Sequence, residues 1–234
     1  FDHLYVILPF EKDFYEKKHH FPVEFVGHPL IDAIHNRKKV DELTFRKEHQ
    51  LDERPIIALL PGSRKQEIKT ALPLFEQLAK ANPDLSFVIA GISDWKELYQ
   101  TKIPVLFDQT YDVVQQAELA IVTSGTATLE TALLNTPQIV VYKTDWVFYS
   151  LAKIVIQIKY ISLVNIILDK LAVPELIQAK FSVDHMTAWM RDLLTKGATY
   201  SQQKEDYKKL QFLVGNAGAS KKTAELIYSA ASAK

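Results

Sequence analysis

The sequence predicts an α/β fold in which a parallel β-sheet carries helices on both faces. Two observations predict it. Short apolar runs recur without polar alternation, at Pro55 to Leu60, Leu85 to Ala90, Leu119 to Val122 and Gln138 to Tyr142. A strand needs such a run when neither of its faces meets water. Each run ends in a tight, small or polar segment, and stretches with helical spacing lie between them. That strand, loop and helix rhythm builds parallel strands joined by helical crossovers.

Each element follows in order. Leu4 to Leu8 is an apolar run stopped by Pro9, and Phe10 to Lys18 is charged and helical in character. Val23 to Val26 reads as a short strand closed by Gly27-His28-Pro29. The polar stretch His35 to Arg54 reads as a linker with a surface helix, and marks a domain boundary. After the strand at Pro55 to Leu60, Glu67 to Ala81 carries apolar residues at Ile68, Leu72, Leu74, Phe75 and Leu78, broadly one helical face. Tyr111 to Ala117 and Ala127 to Leu134 read as further helices. Trp146 to Tyr160 is apolar and helical. The last third is helical at Val183 to Leu194, Gln202 to Leu213 and Ser220 to Ala231.

Composition narrows the function. The 234 residues hold 28 Lys+Arg against 28 Asp+Glu and no cysteine. The length corresponds to roughly one and a half average domains. Disulfide scaffolds, zinc fingers and cysteine nucleophiles are excluded, since each needs thiols. Balanced, interspersed charge argues against a nucleic-acid surface. No apolar run approaches the roughly 18 residues of a spanning helix. Neither G-x-x-x-x-G-K-[ST] nor G-x-G-x-x-G occurs, which argues against an NTPase or a dehydrogenase.

Ligands of such sheets bind at the carboxyl ends of the strands, so the loops there hold the candidates. Ser124-Gly125-Thr126-Ala127-Thr128-Leu129-Glu130 joins a buried strand to a helix. Its small residues allow close approach to the backbone. The unpaired amides and positive dipole of a first helical turn suit a diphosphate. Glu130, about one turn further in, is placed to accept ribose hydroxyls. An ordinary capped helix is the competing reading. The second candidate is Leu59-Leu60-Pro61-Gly62-Ser63-Arg64, followed by Glu67. There Ser63 can cap the next helix, and Arg64 offers a planar fork for phosphate oxygens. Two anion-ready loops on one sheet favour a nucleoside-diphosphate site.

Other features carry less. His28 follows a strand and reads as a structural hydrogen-bonder or an acid–base group, and the remaining histidines lack metal-ligand spacing. The Trp146 to Ile158 segment, with Lys143, Lys153 and Lys159 at intervals, reads as core, a partner-facing surface or a membrane-interface segment. Asn165 sits in an apolar stretch. A buried Asn needs partners, which makes it a structural clamp or a ligand contact.

Taken together, Ile7-Leu8-Pro9-Phe10-Glu11, Phe25-Val26-Gly27-His28-Pro29-Leu30, the two loops above, Tyr160-Ile161-Ser162-Leu163-Val164-Asn165 and the terminal Gly215-Asn216-Ala217-Gly218-Ala219-Ser220 resemble lipid-A-disaccharide synthases. These are bacterial inverting glycosyltransferases with two Rossmann-like domains, the GT-B arrangement. The resemblance implies that residues 37–205 form the UDP-sugar-binding, C-terminal Rossmann-like domain. Residues 1–36 would be closing strands of a largely absent acceptor domain, and residues 206–234 a helix returning toward it.

The resemblance implies transfer from UDP-2,3-diacylglucosamine to 2,3-diacylglucosamine 1-phosphate (lipid X), giving lipid A disaccharide 1-phosphate and UDP. The new bond would be β-1,6, with no cofactor or obligatory metal. The family implies a cytoplasmic enzyme, peripheral to the inner membrane of a Gram-negative bacterium, with a possible homodimer. By the same route Ser124, Gly125, Thr126 and Ala127 would take the diphosphate, Glu130 the ribose and Arg64 the donor phosphate. Ser63 and Glu67 would stand beside Arg64. Asn165 and Gln178 would sit near the donor or its leaving group, Gly91 and the Phe107 to Tyr111 loop near the uracil. The catalytic base would belong to the absent half, so this chain would hold the donor without turning over alone. The alternatives are another UDP-N-acetylglucosamine-using enzyme, either a 2-epimerase or a peptidoglycan glycosyltransferase, and a non-catalytic nucleotide-binding module.

Overall fold

The computed structural model describes residues 2–144 and 159–232. The apolar segment Trp146 to Ile158 therefore lies outside the described residues. The chain forms two compact units. One comprises Phe1–Lys38 and Tyr207–Lys234, the other Lys39–Asp206.

In the first unit, β1 (Tyr5–Val6) and β2 (Glu24–Phe25) pair in parallel. Between them α1 (Pro9–Asp13) continues into a π-helical turn, Phe14–Lys18. Glu11 fixes the entry to α1, because its carboxylate accepts from the amides of Ile7 and Leu8 at 3.1 and 2.8 Å. The next helix, α2 (Pro29–Asn36), has Pro at its first position and His28 as its cap. The His28 Nδ1 accepts from the Leu30 amide at 3.2 Å, the structural half of the expectation for this residue.

The second unit opens with α3 (Glu42–Glu48), capped by Asp41, whose carboxylate accepts from Thr44 at 3.0 Å. It then alternates β3 (Ile56–Leu60), α4 (Lys65–Ala81), β4 (Ser86–Gly91), β5 (Val105–Phe107), α5 (Thr110–Gln116), β6 (Leu119–Thr123), α6 (Thr126–Leu133) and β7 (Gln138–Tyr142). A short α7 (Leu163–Leu168), β8 (Glu175–Ile177) and α8 (Val183–Leu194) follow. The unit boundary after Asp206 falls within α9 (Ala198–Val214), and α10 (Ala219–Ser232) ends the described chain.

The six strands β3 to β8 form one sheet, ordered β5-β4-β3-β6-β7-β8 and parallel throughout. Numbered within the sheet this is 3-2-1-4-5-6, the order of dinucleotide-binding folds. The alternation of Cβ along β3 explains its continuous apolar run. Ile57 and Leu59 face a core with Phe75, Ile121, Met186 and Met190. Ile56, Ala58 and Leu60 face an opposite core with Phe45, Val88, Val113 and Val122. Both faces are covered, so the expected α/β Rossmann-like sheet is present. In this strand order β3 and β6 are neighbours whose crossovers run in opposite directions, which opens a crevice at their carboxyl ends.

Candidate functional site

A cleft of about 430 Å³ lies at that switch point. Its wall comes from the ends of β3, β4 and β6 and from α4, α5 and α6. Of the ten candidate residues, eight line it: Ser63, Arg64, Glu67, Ser124, Gly125, Thr126, Ala127 and Glu130. Asn165 and Gln178 are not in its lining.

The loop after β3 is built around Gly62. Its φ of +102° lies in the left-handed region, and a Cβ there would stand 2.8 Å from the Glu67 Cβ. Only glycine meets both conditions without strain. Glu67 is the third residue of α4. One of its carboxylate oxygens accepts from the Ser63 and Arg64 amides at 3.0 and 3.1 Å. Glu67 thus completes a capping arrangement that shapes the loop. The Arg64 side chain is 79% exposed and touches Glu67 only at 3.5 Å, leaving its guanidinium fork open to an anion. A contact absent from the sequence reading secures this loop. The Trp95 indole N–H donates to the Ser63 carbonyl at 3.1 Å, and the Lys65 Nζ stands 4.3 Å from the centre of its ring.

The loop after β6 presents α6 end-on. Gly125 has extended backbone (φ 164°), and a Cβ there would meet nothing within 4 Å, so the space before it is open. The Gly125 carbonyl accepts from both the amide and hydroxyl of Thr128, at 3.2 and 2.8 Å. The first-turn amides of Thr126 and Ala127 have no intrahelical acceptor by helix geometry, and they carry the positive end of the dipole. The Ser124 hydroxyl donates to the Ile161 carbonyl at 2.7 Å, tying this loop to the segment before α7.

Glu130 is half-buried on α6. One of its carboxylate oxygens accepts from the Tyr111 hydroxyl at 3.0 Å. Burial raises its pKa above the ordinary 4.5, and the Tyr111 hydrogen bond opposes that shift. The cleft therefore joins a cationic fork, a helix N-terminus and a carboxylate within one nucleotide-sized space. Such a set can bind an anion at one end and hydroxyl donors at the other.

Asn165 departs from its expected place near a leaving group. It is fully buried in α7. Its Nδ2 donates to the Val173 carbonyl (2.9 Å) and to Glu175 (2.8 Å), while its Oδ1 accepts from the Ala172 and Val173 amides (2.8 and 2.9 Å). Those four bonds use two donors and two lone pairs, the whole capacity of an amide. The clamp reading describes it, because no polar position remains for a ligand. Glu175, which sequence reasoning missed, is the hub of this clamp. It also accepts from the Ile161 and Ser162 amides and from the Ser162 hydroxyl. Gln178 also makes bonds within the protein. Its amide group exchanges two bonds with the Thr144 backbone, at 3.0 and 3.2 Å.

The family model for lipid-A-disaccharide synthetase matches residues 1–230. The chain belongs to this family. A lipid-A-disaccharide synthase of Persephonella marina is 33% identical over 97% of the chain. Lipid-A-disaccharide synthase 1 of Legionella pneumophila is 38% identical over 76% of it. The chain spans 64% of the Persephonella marina protein and 61% of a Syntrophus aciditrophicus relative. Among solved structures, the UDP-GlcNAc 2-epimerase of Neisseria meningitidis bound to UDP-GlcNAc superposes with a TM-score of 0.59 at 16% identity. That likeness covers 97% of this chain and 61% of the epimerase. The wall teichoic acid polymerase TagF superposes at 0.58 and 18% identity, over 98% of this chain and 56% of the polymerase. These two likenesses establish the GT-B-like fold, which this lipid-A-disaccharide synthase family member shares.

Proposed function

We propose that this chain is the donor-binding part of an inverting glycosyltransferase of lipid A synthesis. In this reading it holds UDP-2,3-diacylglucosamine for transfer to lipid X, yielding lipid A disaccharide 1-phosphate and UDP. The observation that carries the reading is the cleft at the switch point of the sheet, where Arg64, the α6 N-terminus and Glu130 line one space. Family membership and relatives named for the synthase support the choice of substrates.

Transfer breaks the bond between the sugar C1 and the diphosphate oxygen, and negative charge grows on that oxygen. Amides and a guanidinium already oriented toward it stabilise the transition state more than the ground state. The Thr126 and Ala127 amides and Arg64 serve this role, while Ser63 and Glu67 hold the loop that aims Arg64. Glu130 takes the ribose hydroxyls. Asn165, through Glu175 and Ile161, steadies the Ser124 loop without touching the donor, and Gln178 holds the backbone at Thr144. The acceptor site and the base that removes the acceptor proton belong to a part of the enzyme beyond this chain. Residues 1–36 and 206–234 are assigned to that acceptor side. The same reading places the enzyme at the inner-membrane surface, where both lipid substrates reside.

Calorimetric titration with UDP tests the reading. UDP binds the folded chain, and Glu130→Ala weakens binding by about 1.5–3 kcal/mol, the size of a charged hydrogen-bond loss. Absence of UDP binding by the folded chain overturns it. Disaccharide formation by this chain alone would contradict the division of labour.

A further inference from the structure

We propose that Tyr111 is a positioning residue: its hydroxyl sets the Glu130 carboxylate to receive a ribose diol, and so favours ribonucleoside over 2′-deoxyribonucleoside diphosphates. The inference rests on the cleft being the nucleoside-diphosphate site proposed above.

A glutamate side chain has three rotatable bonds, and the last is a broad two-fold torsion that fixes no plane for the carboxylate. A diol needs one defined plane, because its two hydroxyls must reach acceptor lone pairs together. Tyr111 supplies that definition from a separate element. It stands in the first turn of α5, and its hydroxyl reaches Glu130 on α6 at 3.0 Å. The support beneath Tyr111 is rigid. Val113 and Val114 of the same helix are 0% and 1% exposed in the sheet core, and the buried Thr136 hydroxyl donates to the Val114 carbonyl at 2.8 Å. The helix that carries the phenol is therefore anchored by packing, while Glu130 lines the cleft.

A carboxylate offers about four lone-pair positions. The Tyr111 hydroxyl takes one on the first oxygen. The second oxygen and the remaining position on the first stay available for two ribose hydroxyls. A 2′-deoxyribose fills one position fewer, and a half-buried acceptor left without a donor carries a penalty. Without the phenol the carboxylate can rotate to suit a single hydroxyl, which erodes that discrimination. Tyr111 also opposes the raised pKa of Glu130. Its loss keeps the carboxyl protonated to higher pH, where one oxygen turns from acceptor to donor.

The test titrates UDP and 2′-deoxy-UDP into the wild-type chain, Tyr111→Phe, Glu130→Gln and the double variant. Wild type prefers UDP, and Glu130→Gln abolishes that preference. Tyr111→Phe weakens UDP by about three- to tenfold, the effect of one hydrogen bond, with a smaller change for 2′-deoxy-UDP. It also moves the acid limb of UDP binding to higher pH, and adds nothing in the Glu130→Gln background. Equal weakening of both nucleotides by Tyr111→Phe, or no weakening of either, overturns the proposal while Glu130→Gln still reports on the ribose. A wild-type chain that binds neither nucleotide overturns the underlying site reading instead.

Discussion

Glu130 and Asn165 are both polar side chains set among apolar neighbours, and the sequence marks them alike as candidates for a ligand. Their surroundings separate them. Asn165 makes four hydrogen bonds within the protein and is fully buried. Glu130 accepts one bond from Tyr111 and keeps the rest of its carboxylate toward a cleft. A saturated polar group is scaffold, because a ligand has nothing to pair with. An unsaturated acceptor in a half-buried wall raises the free energy of the empty protein and lowers it again when a donor arrives.

The strongest way to break this contrast is Asn165→Leu. It leaves the buried Val173 amide without its acceptor and takes one donor each from the Val173 carbonyl and Glu175, and destabilises the fold by roughly 2–4 kcal/mol in urea unfolding. The folded fraction keeps its UDP affinity. A stable variant that loses UDP would return Asn165 to the ligand.

Glu130→Gln gives the opposite signature. UDP affinity falls by about 1.5–3 kcal/mol, while the unfolding midpoint of the unliganded protein at neutral pH rises. The sign follows from its raised pKa. A carboxyl raised in the folded state contributes stability below its ordinary 4.5, and that contribution is lost as pH rises through the folded value. A glutamine does not ionise and escapes the loss. A fall in midpoint at neutral pH would show that Glu130 is scaffold after all.

Gly62→Ala sharpens the contrast from the other loop. The left-handed φ and the collision with Glu67 destabilise by roughly 1–3 kcal/mol. They also release the Ser63 and Arg64 amides, so UDP weakens in parallel. Unfolding curves and titration of the same preparation measure both. Arg64→Ala, by contrast, leaves stability within about 0.5 kcal/mol, because its guanidinium is exposed and only loosely paired with Glu67.

The smallest effect concerns His28, a scaffold group that can titrate. Burial depresses its pKa below 6.5, and nearby Glu11 raises it in part. The neutral ring contributes stability above pH 6.5 that is lost as pH falls through the lower folded value. Protonation also removes the lone pair that caps α2. His28→Asn, which keeps a cap, flattens stability between pH 7 and 5 by up to about 1 kcal/mol. An unchanged slope would remove His28 from this account.

The sheet core was legible because its strands are covered on both faces and admit almost no polar residue. β7 matches its expected span, and so does α8. The edge strands β5 and β8, three residues each, were not legible, since their pairing comes from neighbours rather than from local pattern. α2 was hidden by Pro29 and by a short apolar face at Leu30, Ile31 and Ile34. In the cleft, loops with their own small residues and caps could be read directly. The contacts of Trp95 with Ser63 and of Tyr111 with Glu130 could not, because the partners lie 32 and 19 residues away in sequence. Asn165 was readable as a group that needs partners. Whether those partners were protein or ligand depended on where Glu175 and the Val173 backbone fold.

The most direct test of the cleft is backbone amide chemical-shift mapping on the ¹⁵N-labelled chain as UDP is added. The account predicts the largest shifts at Gly62 to Arg64, Ser124 to Ala127 and Glu130, with Ala172 and Val173 little changed. Shifts centred on Asn165 and its partners, or on the first unit, with the two cleft loops silent, would contradict it.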